Sequence, residues 1–384
     1  MNQVAVIAYF ADDPSRTYQL VQWLPVLELL DHEHPVGLVL RNHDSAAIVR
    51  QRTSLPVEVL PEFSALTERY ADLDAKVVLY CNNSMYNFQS LLDTRKLHVH
   101  INHGESDKQS MASNNAKAYD RVFVAGEAAV QRLDAGLMAF DLGKVVRIGR
   151  PQLDLRPAPL IPPTTRRTVL YAPTWEGDAD YNDYTSVDTM GPEVIEAILA
   201  VPDTRVVYKP HPKVTTSQTQ AIRDGHRRIL ELVARAAAEE PDAGHVAVIS
   251  GDILAVMPDC DAMVSDVSSV GLDWLYLRTE RPIFVTDRHH DPERLRQEVP
   301  VSRCADVVDA EGGLDVAGLT ALLASRLEHD EHHLARVAMR HHYFDDNQIG
   351  DSTQRFIAEV GALVVLRDVL LGEADPLAGA AITA

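Results

Sequence analysis

Short apolar runs rich in valine and isoleucine alternate along this chain with longer amphipathic stretches. In the first half the runs fall at 4–10, 36–41, 76–81, 97–102, 121–126 and 144–149, with helix-like segments such as 15–31 and 126–138 between them. After residue 167 the alternation restarts, with runs at 168–173, 205–210, 245–250, 262–266, 282–287 and 305–309 and helical patterns over about 214–239, 268–278, 315–340 and 351–371. A run that is apolar at successive positions, and not only at every second one, predicts a strand buried on both faces. Strands of that kind separated by helices predict parallel sheets with helices on either side. The expected fold class is therefore α/β, with two doubly wound Rossmann-like lobes facing a central cleft.

Between the halves, residues 150–167 hold five prolines and end in Arg166 and Arg167. Proline supplies no ladder donor and interrupts helices, so this stretch predicts a linker. The expected division is 1–150 as the first lobe, 151–167 as linker, 168–350 as the second lobe and 351–384 as a closing helix and tail. Ligands of doubly wound sheets bind where strands end at their carboxyl edge. The residues that matter are those just after each strand.

A chain of 384 residues has room for two such lobes without disulfides or a structural metal. Its formal charge of −20 excludes general nucleic-acid binding, because an acidic surface repels phosphate backbones. It leaves room for a local basic pocket. The three cysteines, Cys81, Cys260 and Cys304, are far apart and suit a reducing compartment. No apolar stretch reaches the length of a membrane span, so the expected location is cytoplasmic.

Four strand ends carry polar clusters. His103 and Gly104 follow the run 97–102; glycine permits close backbone approach, and a cleft imidazole is a natural general base, though an ordinary loop histidine has the same sequence. Tyr171-Ala172-Pro173-Thr174-Trp175 ends a strand on a proline, after which Thr174 offers a hydroxyl and Trp175 either packs or meets a ligand. The acidic, aromatic segment after it reads as a mobile loop. Lys209-Pro210-His211-Pro212-Lys213 is a proline-bracketed cationic turn in an acidic protein, suited to phosphate oxygens. Asp266, Ser268 and Ser269 open a helix, where backbone N–H groups and hydroxyls together favour an anion; simple capping accounts for one serine but not readily for two. His333 and His341, eight helical residues apart, are about 12 Å from each other, too far to share a metal.

Taken in order, these motifs resemble the CDP-glycerol glycerophosphotransferase family, the teichoic acid primases and polymerases of bacteria. The resemblance runs from about residue 97 to about 357. It implies a GT-B-like fold and transfer of a polyol phosphate, chiefly glycerol phosphate, from a CDP-activated donor to a hydroxyl acceptor, with release of CMP. The polymer would be teichoic-acid-like or capsular.

Carried over by position, His103 matches the histidine expected as base, with His211 the second catalytic histidine. The donor would be held by Gly104, Thr174, Lys209, His211, Asp266, Ser268, Ser269 and Asp273, with Arg150 and Lys108 as further phosphate contacts. No metal and no cofactor are implied, CDP-glycerol or CDP-ribitol being the donor substrate. The acceptor would be a polyol phosphate, a glycan or a lipid-linked molecule. Membrane contact at the inner face would be peripheral at most, and homo-oligomerisation is open. Glu105, Ser106 and Asp107 depart from the family's usual residues after His-Gly, and Val267 replaces a tyrosine. The alternatives are a GT-B glycosyltransferase using a nucleotide sugar, a CDP-polyol synthase, and a nucleotide-sensing protein without turnover.

Overall fold

A computed structural model describes residues 4–108, 111–177, 179–309 and 315–374, apart from the Tyr181 side chain. Its Cα packing separates two compact units. One comprises Met1–Glu105, Ala112–Leu155 and Phe344–Ala384; the other comprises Ser106–Met111 and Arg156–Tyr343. The last ten residues of the expected closing tail, 375–384, lie outside the described residues.

In the first unit seven parallel strands form one sheet: β1 (Val6–Phe10), β2 (Val36–Leu40), β3 (Val57–Val59), β4 (Val77–Tyr80), β5 (Leu97–His100), β6 (Arg121–Val124) and β7 (Val145–Arg147). Their order is β3-β2-β1-β4-β5-β6-β7. β1 pairs with β2 in the register Val6↔Val36 and with β4 in the register Val6↔Val77, so the winding reverses between β1 and β4. Six of these strands are the apolar runs of the first half. β3 is additional: a short, half-buried edge strand between Pro56 and Pro61, too brief and too polar at Glu58 to stand out by pattern.

The closing helix Asp351–Leu370 is part of this unit. Phe356, Val360, Leu363 and Val364 pack in one core with Trp23, Leu27, Leu30 and the β1, β2 and β4 side chains. Its first turn is held from outside by Asp154, whose two carboxylate oxygens accept from Gly350 N at 2.7 Å and Thr353 N at 2.6 Å. At the end of β7, Gly149 sits at φ +76°, and a Cβ there would come within 2.1 Å of Ser352 Oγ; only glycine fits.

The second unit's sheet is also all parallel. It comprises β8 (Arg167–Ala172), β9 (Thr204–Tyr208), β10 (Val246–Ala247), β11 (Ala262–Ser265), β12 (Ile283–Thr286) and β13 (Asp306–Val308), ordered β10-β9-β8-β11-β12-β13. All six correspond to apolar runs of the second half. The reversal here lies between β8 and β11, paired Ala262↔Val169. The core on one face joins these strands to the helices Gly191–Leu199, Gln220–Glu239 and Val316–Glu328. The helical pattern expected as one over 315–340 is two helices, Val316–Glu328 and His333–Phe344, broken where Asp330 accepts from His332 N. No helix among the described residues is long and apolar enough to cross a membrane.

Candidate active site

In each unit the polar clusters sit at the carboxyl ends of the strands around the reversal of winding, which is where doubly wound sheets bind ligands. In the first unit β5 leads through Ile101 and Asn102 to His103. The ring Nδ1 of His103 lies 3.3 Å from the carbonyl oxygen of Cys81, just beyond β4. A carbonyl only accepts, so Nδ1 carries the hydrogen and Nε2 carries the lone pair. The Tyr18 ring meets the imidazole edge-on at 6.1 Å, and the buried Arg150 donates from Nη1 to the His103 carbonyl at 3.1 Å. Burial first, and the nearby Arg150 guanidinium second, push the His103 imidazolium down to about 4, with Arg16 adding to the effect. His103 is therefore a neutral acceptor at physiological pH.

Beside it lies a network that sequence reading did not find. Asp12, after β1, accepts from Asn82 Nδ2 at 2.7 Å and Ser84 Oγ at 2.8 Å, and Asn82 also donates to Gln19 at 3.0 Å. These residues come from separate segments and leave no local signature. Gly104 is partly exposed, and Glu105 is buried in an ion pair with Arg132 at 2.5 Å, which accounts for one departure after His-Gly.

In the second unit Asp266, at 1% exposure, is a structural bolt. One oxygen accepts from Ser186 Oγ at 2.5 Å and Thr286 Oγ1 at 2.6 Å, the other from Thr174 N at 2.7 Å and Ser186 N at 3.3 Å. Burial raises its carboxyl to about 6 against the pull of these bonds. These four bonds come from within the protein and join the ends of β8, β11 and β12. Asp273 is likewise buried within the helix Ser269–Leu277, at 2% exposure.

Lys209 is only 5% exposed, and among the described residues its ammonium forms neither an ion pair nor a hydrogen bond. Burial lowers its pKa, opposed by the charge of Asp252. After it, His211 Nδ1 accepts from Lys213 N at 3.2 Å, so Nε2 carries the hydrogen. The His211 ring stacks on Trp175 at 6.0 Å, and Lys213 Nζ lies 3.7 Å from the centre of the same indole. Ser268 is the N-cap of the helix, yet its Oγ is shielded from solvent and meets no partner among the described residues; Ser269 is the first helical residue. Thr174 is buried beside Asp266.

Lys108 lies 5.7 Å from the centre of the Tyr184 ring. The segment after Trp175, expected to be mobile, is pinned where it is described: Arg288 holds Asp183 at 3.2 Å and Asp188 at 2.5 Å, and Ser217 donates to Glu176. A further pair absent from the sequence reading joins His290, after β12, to Asp309, after β13, at 2.6 Å. Among the described residues no group of three or more His, Cys, Asp or Glu side chains is placed to hold a metal ion.

Comparison with known proteins adds the following. Residues 155–292 match the family model described as CDP-Glycerol:Poly(glycerophosphate) glycerophosphotransferase. No curated protein matches the chain by sequence. Among solved structures, a Listeria monocytogenes protein assigned as a UDP-N-acetylglucosamine 2-epimerase superposes with a TM-score of 0.60 at 15% identity, over 97% of this chain and 98% of its own. The wall teichoic acid polymerase TagF superposes with a TM-score of 0.57 at 13% identity, over 94% and 90%. A TagF variant soaked with CDPG gives 0.58 at 11% identity, over 94% and 89%.

At these identities the structures establish the GT-B-like α/β fold. The segment that holds the β8 strand end, the Lys209–Lys213 turn and the Ser268–Ser269 helix start is the one that matches the CDP-glycerol glycerophosphotransferase family model.

Proposed function

We propose that the protein transfers glycerol phosphate from CDP-glycerol to a hydroxyl of a teichoic-acid-type acceptor and releases CMP. The observation that carries this reading is Lys209, a largely buried residue whose ammonium has no counter-charge in hydrogen-bond reach among the described residues, set within the family-matched segment. A buried cation is costly unless paired, and a donor diphosphate supplies the missing anion. The Nε2–H of His211 and the N–H groups at the start of the helix Ser269–Leu277, with Ser268 and Ser269, add donors to the same phosphates.

Phosphoryl transfer asks the protein mainly for positioning and charge stabilisation. The acceptor oxygen attacks the β-phosphorus as the bond to the bridging oxygen breaks, and CMP leaves with that electron pair. His103 Nε2 takes the hydroxyl proton. Gly104, Arg150 and Lys108 would be further donor contacts. The donor is a substrate and no resident cofactor enters the scheme. CDP-ribitol is the second donor to test, and a lipid-linked, glycan or polyol-phosphate acceptor would be reached by peripheral contact at the inner face of the membrane.

CMP release tests this reading, with CDP-glycerol, CDP-ribitol and UDP- and GDP-sugars offered in parallel. CDP-glycerol is expected to give CMP in step with acceptor extension; turnover of sugar nucleotides alone would make the protein a glycosyltransferase. His103→Ala is expected to lower kcat by about 10²–10⁴-fold with donor binding retained. Lys209→Ala is expected to weaken CDP-glycerol binding by about ten- to a hundredfold, the worth of a hydrogen bond to a charged group, as read by calorimetry.

A further inference from the structure

Asn102 stands at φ +51°, in the left-handed region that non-glycine residues seldom occupy and that asparagine tolerates best. Such a conformation persists where its surroundings over-determine it, and functional sites are where it collects. Three hydrogen bonds do so here. His103 N donates to Asn102 Oδ1 at 2.8 Å, Trp23 Nε1 donates to the Asn102 carbonyl at 2.5 Å, and Arg150 donates to the His103 carbonyl. Trp23 is itself buried, its ring 5.1 Å from that of Phe356 in the closing helix.

The turn has a consequence for the ring that follows. Ile101 still pairs with the sheet, its N–H donating to Tyr80 O at 2.9 Å, and its side chain is in the apolar core. Side chains two apart on a strand share a face, so extended backbone through residue 102 would aim His103 toward that core. The left-handed residue breaks this alternation and brings the imidazole to the Cys81 carbonyl, which is what leaves the lone pair on Nε2.

We infer that Asn102 is a positioning residue of the transfer reaction, whose left-handed backbone and side-chain amide together set the aim and tautomer of His103. This rests on His103 being the base, and nothing in the family comparison assigns Asn102 a part. The groups facing the imidazole are the Cys81 carbonyl, the Tyr18 ring, the guanidinium groups of Arg150 and Arg16, and His100 from the end of β5.

The test compares Asn102→Gly, which keeps access to the left-handed region but loses the amide, with Asn102→Asp, which keeps the acceptor. kcat, the KM for CDP-glycerol and the acid limb of the kcat–pH profile are measured on protein whose fold is verified by circular dichroism. Asn102→Gly is expected to lower kcat about tenfold, the scale of one lost hydrogen bond, with KM within about twofold. Asn102→Asp is expected to retain kcat within about threefold and to shift the acid limb upward, because a carboxylate beside the ring favours the imidazolium.

Trp23→Phe, which keeps the stack on Phe356 and removes the indole donor, serves if the Asn102 variants do not fold. It should lower kcat at unchanged KM. Wild-type kcat and pH profile in a folded Asn102→Gly or Trp23→Phe variant, alongside a His103→Ala protein that has lost turnover, would overturn this inference alone. Full turnover in His103→Ala would overturn the assignment of the base beneath it.

Discussion

His103 and His211 show how one side-chain type takes two jobs through a single neighbour each. A carbonyl at Nδ1 makes the first an acceptor at Nε2; a backbone N–H at Nδ1 makes the second a donor there. The low value at His103, about 4, means that the base form persists well below neutral pH. The acid limb of kcat/KM is accordingly expected far below 6.5. Arg150→Gln should move that limb upward by removing a positive charge that opposes protonation, as a pH–rate series would show.

These histidines and Lys209 were legible in the sequence because glycine or proline beside each marks a built turn. Asp12, Asn82, Asn102 and the His290–Asp309 pair were not, since their partners arrive from other strands. Asp266 was legible only in part: spacing says that a carboxylate ends a strand, not that its oxygens turn inward to four donors. Asp266→Asn should therefore cost stability, by about 1–3 kcal/mol for donors left unpaired, as read by urea denaturation.

At the scale of elements, the apolar runs located twelve of the thirteen strands among the described residues, because burial on both faces leaves a continuous signal. The exception, β3, is an edge strand and lacks it. Helices were less well bounded. The segment 15–31 is broken into a 3-10 turn at Pro14–Arg16 and helices Tyr18–Val21 and Leu24–Asp31, since local hydrogen bonds, unlike the amphipathic period, decide where a helix stops. The closing helix depends on a cap supplied from far away in the chain. Asp154→Ala should lower stability by about 1–2 kcal/mol, seen as a lower denaturant midpoint with an unchanged slope. No reading of residues 351–371 alone shows that dependence, because the capping carboxylate lies near residue 150.

For the molecule as a whole, titration of buried groups sets the acid limit. His100 and His103 are both held near 4, chiefly by burial, against 6.5 when unfolded. Between those values the unfolded chain binds the extra protons, so the stability present above pH 6.5 is lost as pH falls toward 4. Asp266, raised from 3.8 to about 6, acts oppositely, adding stability as pH falls through 6. Two histidines against one carboxyl predict a net fall in Tm between pH 7 and 4.5, and His100→Gln should flatten it in a thermal scan.

The same scale holds the central chemical claim. In a molecule of charge −20, the ammonium of the largely buried Lys209, with no hydrogen-bonded partner among the described residues, suits a small phosphorylated ligand. The direct measurement is mass analysis of the acceptor after incubation with CDP-glycerol, with CMP quantified in the same tube. The account predicts acceptor masses that rise by one glycerol phosphate for each CMP released. CMP release without that gain, or no CMP from CDP-glycerol while a nucleotide sugar turns over, would contradict it.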